Sequence, residues 1–133
     1  MKRKNNLIIL ALVIMIIFLV ITINIPLKKQ VIPTKFIAGE NMGFDLGPGN
    51  LNFGKIVPGY SASREIEITN NFESPTLTKI KSSGKISEYI IISENNFILQ
   101  PNESRKISFS CYPKEDIELK EYNGKIIIIT RKA

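Results

Sequence analysis

Residues 51–70 read LNFGKIVPGYSASREIEITN, and how they are read decides the fold. Two glycine pairs, Phe53-Gly54 and Pro58-Gly59, precede a clean alternation, Arg64-Glu65-Ile66-Glu67-Ile68-Thr69. Period-two alternation marks a strand with one buried face, here Ile66 and Ile68. Pro58-Gly59 suits the central positions of a type II turn, since proline fixes φ and glycine accepts a positive one. Gly54 permits a bend or bulge behind Phe53, whose ring is expected in the core. A ligand loop needs more than these glycines. Gly47-Pro48-Gly49-Asn50-Leu51-Asn52 has asparagine where a dinucleotide fingerprint requires its third glycine, and no Gly-Lys-Ser/Thr follows to form a phosphate loop. The stretch therefore reads as a corner between strands.

The pattern continues outward from that corner. Gly43–Leu46 and Leu51–Phe53 are short strand candidates around the 47–50 turn. Thr76–Lys81 is a weaker strand, with Leu77 and Ile80 on opposite faces unless a bulge intervenes. Tyr89–Ser93 and Phe97–Leu99 flank Glu94-Asn95-Asn96, and Pro101–Ser104 is a turn feeding Lys106–Tyr112. In that strand Ile107, Phe109 and Cys111 face inward. Ile126–Thr130, four isoleucines and a threonine, suits a strand near the sandwich centre. Tyr122-Asn123-Gly124-Lys125 is either a two-residue hairpin turn or an irregular lead-in to that last strand. The sum is an all-β domain over residues 43–133: a two-sheet sandwich of seven or eight short strands, the size of one immunoglobulin-like unit.

Ahead of it lies a different kind of segment. Leu7–Ile25 is apolar except for Thr22 and Asn24. As a helix it extends about 28 Å, close to the hydrocarbon thickness of a bilayer. A soluble helix would not be apolar on every side, so residues 7–25 are expected to enter a membrane. The apolar run is too long for a cleavable signal and lacks a small-x-small site after it, which favours an uncleaved signal anchor. Residues 1–6 form a basic cytoplasmic N-terminus, and 26–42, with Pro26, Pro33 and several charges, reads as a solvated linker. The charge bias across the span leans towards an extracytoplasmic C-terminal domain. The span has no small-xxx-small face and no charge, so it is a plain tether.

The net charge of +6 invites a nucleic-acid reading, which its distribution removes. Lys2, Arg3, Lys4, Lys28, Lys29 and Lys35 flank the apolar run. From residue 40 onward 12 basic residues face all 12 acidic ones, so the exported part is formally neutral. The basic flanks suit anionic headgroups, and no nucleic-acid partner is implied.

Catalytic chemistry is thinly supplied. The chain has no histidine, the commonest general base and transition-metal ligand. Its one cysteine, Cys111, forms no disulfide framework and falls on the apolar side of an alternation, as a buried thiol would. Glu115, Asp116, Glu118 and Glu121 lack the order of a calcium loop and are interleaved with Lys114 and Lys120, so they read as a solvated loop. Asn102-Glu103-Ser104 is a glycosylation sequon in an expected turn, which makes Asn102 a candidate acceptor. No catalytic, cofactor-binding or metal residue is assigned.

Three stretches together resemble a known family. LNFGKIVPGYSASREIEITNN (51–71), FILQPNESRKISFSCYP (97–113) and EYNGKIIIIT (121–130) are similar to the ASPM–SPD-2–Hydin and major-sperm-protein-like branch of immunoglobulin-like domains. The resemblance implies a seven- or eight-stranded sandwich used for protein–protein attachment, and it favours Tyr122-Asn123-Gly124 as the lead-in to the last strand. The N-terminal anchor departs from the cytoskeletal members and looks more like prokaryotic, including archaeal, envelope proteins. The expectation is a non-enzymatic, single-pass membrane protein that displays its sandwich for interaction with an envelope protein. The alternative is a structural or stator-like subunit of a larger membrane or surface-filament assembly.

Overall fold

The computed structural model of the chain describes residues 2–43 and 51–133. It consists of one N-terminal helix, α1 (Lys2–Asn24), and eight strands in two sheets. The strands are β1 (Lys28–Ala38), β2 (Leu51–Ile56), β3 (Ala62–Thr69), β4 (Thr76–Gly84), β5 (Ile90–Ile92), β6 (Phe97–Leu99), β7 (Ser104–Cys111) and β8 (Glu121–Lys132). One sheet has the order β2-β1-β8-β4-β6 and the other β3-β7-β5. Helix α1 is long and apolar enough to cross a membrane, and none of its apolar window is buried against the sandwich.

The expected linker is the main correction. Residues 28–38 form β1, paired antiparallel with β8 from Lys28↔Thr130 to Ile37↔Glu121 and parallel with β2 from Thr34↔Leu51 onward. The sandwich therefore starts at residue 28, and three residues separate it from α1. Ile32, Thr34, Phe36 and Ala38 alternate inward and supply buried area that a solvated linker would forfeit. Pro33 is tolerated because β1 acquires its β2 partner only from Thr34. Of the expected 43–46 strand, Gly43 bridges Lys55, and the rest, like the 47–50 turn, lies outside the described residues.

The opening corner forms as its residues require. Tyr60 N–H donates to Val57 C=O at 3.0 Å and Gly59 has φ 87°, which closes a type II turn over Pro58-Gly59. In β2, Gly54 has φ 73° and the β1 register shifts between Lys35 and Ile37, so Phe53-Gly54 bulge opposite Phe36. Strand β2 continues past Phe53 to Ile56, and Phe53 is buried.

The core lies between the sheets. Ile80, Ile126, Ile128, Phe97 and Leu99 face Ile107, Phe109 and Cys111 across it. Strand β4 needs no bulge: Thr76, Thr78 and Ile80 point inward and Leu77 points out. Strand β8 is the middle strand of its sheet, with Ile126 and Ile128 buried and Ile127 and Ile129 half-buried. Asn123 and Gly124 lie within it, so the hairpin alternative fails and the lead-in reading holds. Gly124 faces Gly84 in β4, and a Cβ there would collide with Ser83 C=O and an Ile86 methyl.

Candidate functional site

Among the described residues the longest open edge belongs to β3, which pairs with β7 alone. At its end Asn70 N–H donates to Glu103 C=O at 2.9 Å. This bond fixes the alternation of the ladder: even-numbered residues bond towards β7, and the amides and carbonyls of Ser63, Glu65, Glu67 and Thr69 point to the open side. The hydroxyl pairs agree, since Ser63–Ser110 at 2.8 Å and Thr69–Ser104 at 2.7 Å have the close side-chain spacing of non-hydrogen-bonded pairs. Among the described residues no strand covers that side. Exposed Glu65 and Glu67 mark it with negative charge, a common guard against indiscriminate pairing. Arg64 turns across to β2, its Nε donating to Asn52 C=O at 3.1 Å.

The other edges offer less. Strands β5 and β6 are three residues each, and the outer side of β2 is bridged by Gly43 through paired bonds to Lys55 of 3.0 and 2.7 Å. Asn95 extends β6 by imitating a strand, with its amide donating to Ile80 C=O and accepting from Ile80 N–H, each at 2.7 Å.

A cavity of about 370 Å³ opens between the sheets near the start of β1. Ile66, Ile68, Leu99 and Ile128 line it together with Thr76 and Thr78, and Lys28 lies on its rim. The Oγ1 atoms of Thr76 and Thr78 are buried without a hydrogen-bond partner. Asn70 closes one wall, its Nδ2 donating to Ser74 C=O at 2.9 Å and Leu99 C=O at 3.0 Å. The sequence signal for this polar row is the Thr76-Leu77-Thr78 alternation, which the opposed faces of Leu77 and Ile80 obscure.

The positions singled out from sequence are dispersed. Asn102 sits exposed at φ 62° in the β6–β7 turn. Its neighbour Glu103 accepts Gln100 N–H at 2.7 Å and Arg105 at 2.9 Å, which holds its carboxyl below the ordinary carboxylate range. Cys111 is wholly buried on β7, and desolvation pushes its thiol up to about 12. Glu115, Asp116 and Glu118 lie on the exposed loop before β8, where Glu118 pairs with Lys120. Among the described residues no three metal-binding side chains gather in one place. No family model, curated protein or solved structure matches the chain.

Proposed function

We propose that the chain is a non-enzymatic, membrane-anchored protein whose sandwich stands on the extracytoplasmic side and binds an envelope protein by strand addition at β3. The open β3 edge carries this reading: among the described residues Glu65, Glu67 and Thr69 present unpaired backbone groups along one line, while the Ser63 carbonyl accepts from Arg64 Nη1 at 3.0 Å. Strand addition draws affinity from such groups and specificity from alternate side chains. The resemblance to attachment domains of the ASPM–SPD-2–Hydin type supports the same use, and the buried, un-ionised Cys111 is unsuited to nucleophilic work.

The three-residue connection favours a second reading, a structural or stator-like subunit of a larger membrane assembly. A domain held this close to its anchor has little reach, which suits a fixed position in a complex better than capture at a distance. Crosslinking in cells followed by mass spectrometry tests the first reading. It predicts an envelope protein joined through β3, and capture of no envelope or membrane protein overturns it. Co-purification in fixed stoichiometry separates the second. A C-terminal domain protected from protease on whole cells overturns the topology of both.

A further inference from the structure

From β1 onward the chain carries 15 basic residues against 12 acidic ones, and this charge is not evenly spread. On the five-stranded sheet, outward positions fall in rows across β1, β8 and β4. The row nearest α1 holds Arg131 and Leu77, with Ile98 of β6 beside Leu77 and Leu27, just before β1, bonded to Thr130. The next holds Lys29, Ile129 and Lys79, and the next Val31, Ile127 and Lys81. Pro33, Lys125 and Ser83 follow. These rows contain five cations and no carboxylate, and Glu121 sits at the far end of β8. The outer face of the other sheet carries Glu65 and Glu67 against Lys106, with a line of serines.

Apolar side chains interrupt the cations. Val31 and Ile98 are 49% and 50% exposed, and Leu27, the residue before β1, is 45% exposed. A mixed surface of this kind suits a bilayer interface, where lysine and arginine stems lie along apolar groups while their heads meet phosphate. Position selects the partner. Leu27 follows the end of α1 by three residues, so the most cationic face of the domain begins where the apolar helix leaves off. We infer that the outer face of the five-stranded sheet rests on the anionic headgroups of the membrane that α1 enters. This contact leaves the β3 edge, on the opposite sheet, free for a protein. It rests on the anchor reading of α1 and extends it to the folded domain.

The test uses the full chain reconstituted in nanodiscs of phosphatidylcholine alone, or of equal parts phosphatidylcholine and phosphatidylglycerol. A fluorophore goes on Ile98→Cys or, on the opposite sheet, Ile91→Cys, with buried Cys111 left native and unlabelled. A headgroup-borne quencher reports proximity to the lipid surface. The expected result is strong quenching at 98 and little at 91, confined to anionic discs and relieved by high salt. Each cation near such a surface contributes on the order of a five-fold change in residence on it. The triple reversal Lys29→Glu, Lys79→Glu and Lys81→Glu is therefore expected to abolish the difference. Equal quenching at 98 and 91, or quenching at 98 that ignores lipid charge and salt, overturns the inference and leaves the anchor intact. A chain that enters neither kind of disc overturns both.

Discussion

The backbone amide of Leu27 donates to the carbonyl of Thr130 at 2.8 Å, three residues after the last residue of α1. That bond joins the end of the apolar helix to the central strand of the larger sheet. It replaces the picture of a domain on a flexible leash with one joined to α1 by three residues. On the proposed reading, the β3 edge meets its partner close to the membrane surface.

Strand β1 is structural, so its removal should abolish folding. Phe36 is fully buried and stacks on Tyr122 at 5.0 Å between ring centroids. Phe36→Ala is expected to cost about 3–5 kcal/mol in denaturant unfolding, the range for a deleted core phenyl ring. A surface-like cost of a few tenths would return residues 28–38 to the status of a linker.

Gly124 faces Gly84 where β4 and β8 leave no room for a side chain. A methyl group there would meet the Ser83 carbonyl, which is backbone and cannot rotate away. Gly124→Ala should destabilise by about 1–3 kcal/mol, the usual cost of overpacking. Gly43→Ala, where the nearest atom is a lysine Cβ at 3.4 Å, should be far milder in the same thermal melts.

Thr78 offers the opposite sign. Its buried hydroxyl has no partner, and such a group costs about 1–3 kcal/mol in desolvation. Thr78→Val keeps the shape and removes the orphan, so the midpoint of unfolding should rise. A fall would show that the hydroxyl is bonded.

Cys111 should resist thiol reagents until the chain unfolds, because burial keeps it protonated. Its folded value, about 12, lies above the ordinary 9.0. The unfolded thiol thus ionises first as pH rises, and stability falls from pH 9.0 towards about 12. In Cys111→Ala that part of the alkaline loss should disappear from pH-dependent melts.

Much of this fold was legible where one residue decides one angle. Gly59 and Gly54 fixed the corner, and the alternation in Arg64–Thr69 and Lys106–Cys111 fixed two paired strands. Strand β1 was hidden because Pro33 and its lysines look solvated locally, and the alternation from Ile32 to Ala38 gains meaning only once β8 lies beside it. The β3 edge was invisible for a related reason. Whether a strand has one neighbour or two depends on sheet order, which alternation does not encode. The cationic face arises in the same way, from Lys29, Lys79 and Arg131, which are far apart in the chain and adjacent in the sheet.

Photo-crosslinking from β3 tests the functional account most directly. A photoreactive residue in place of Glu65 on the full chain in its native cells should capture one envelope protein, and the same residue in place of exposed Lys85 should not. Capture of nothing at position 65, or of the same proteins from both positions, would contradict binding at the β3 edge.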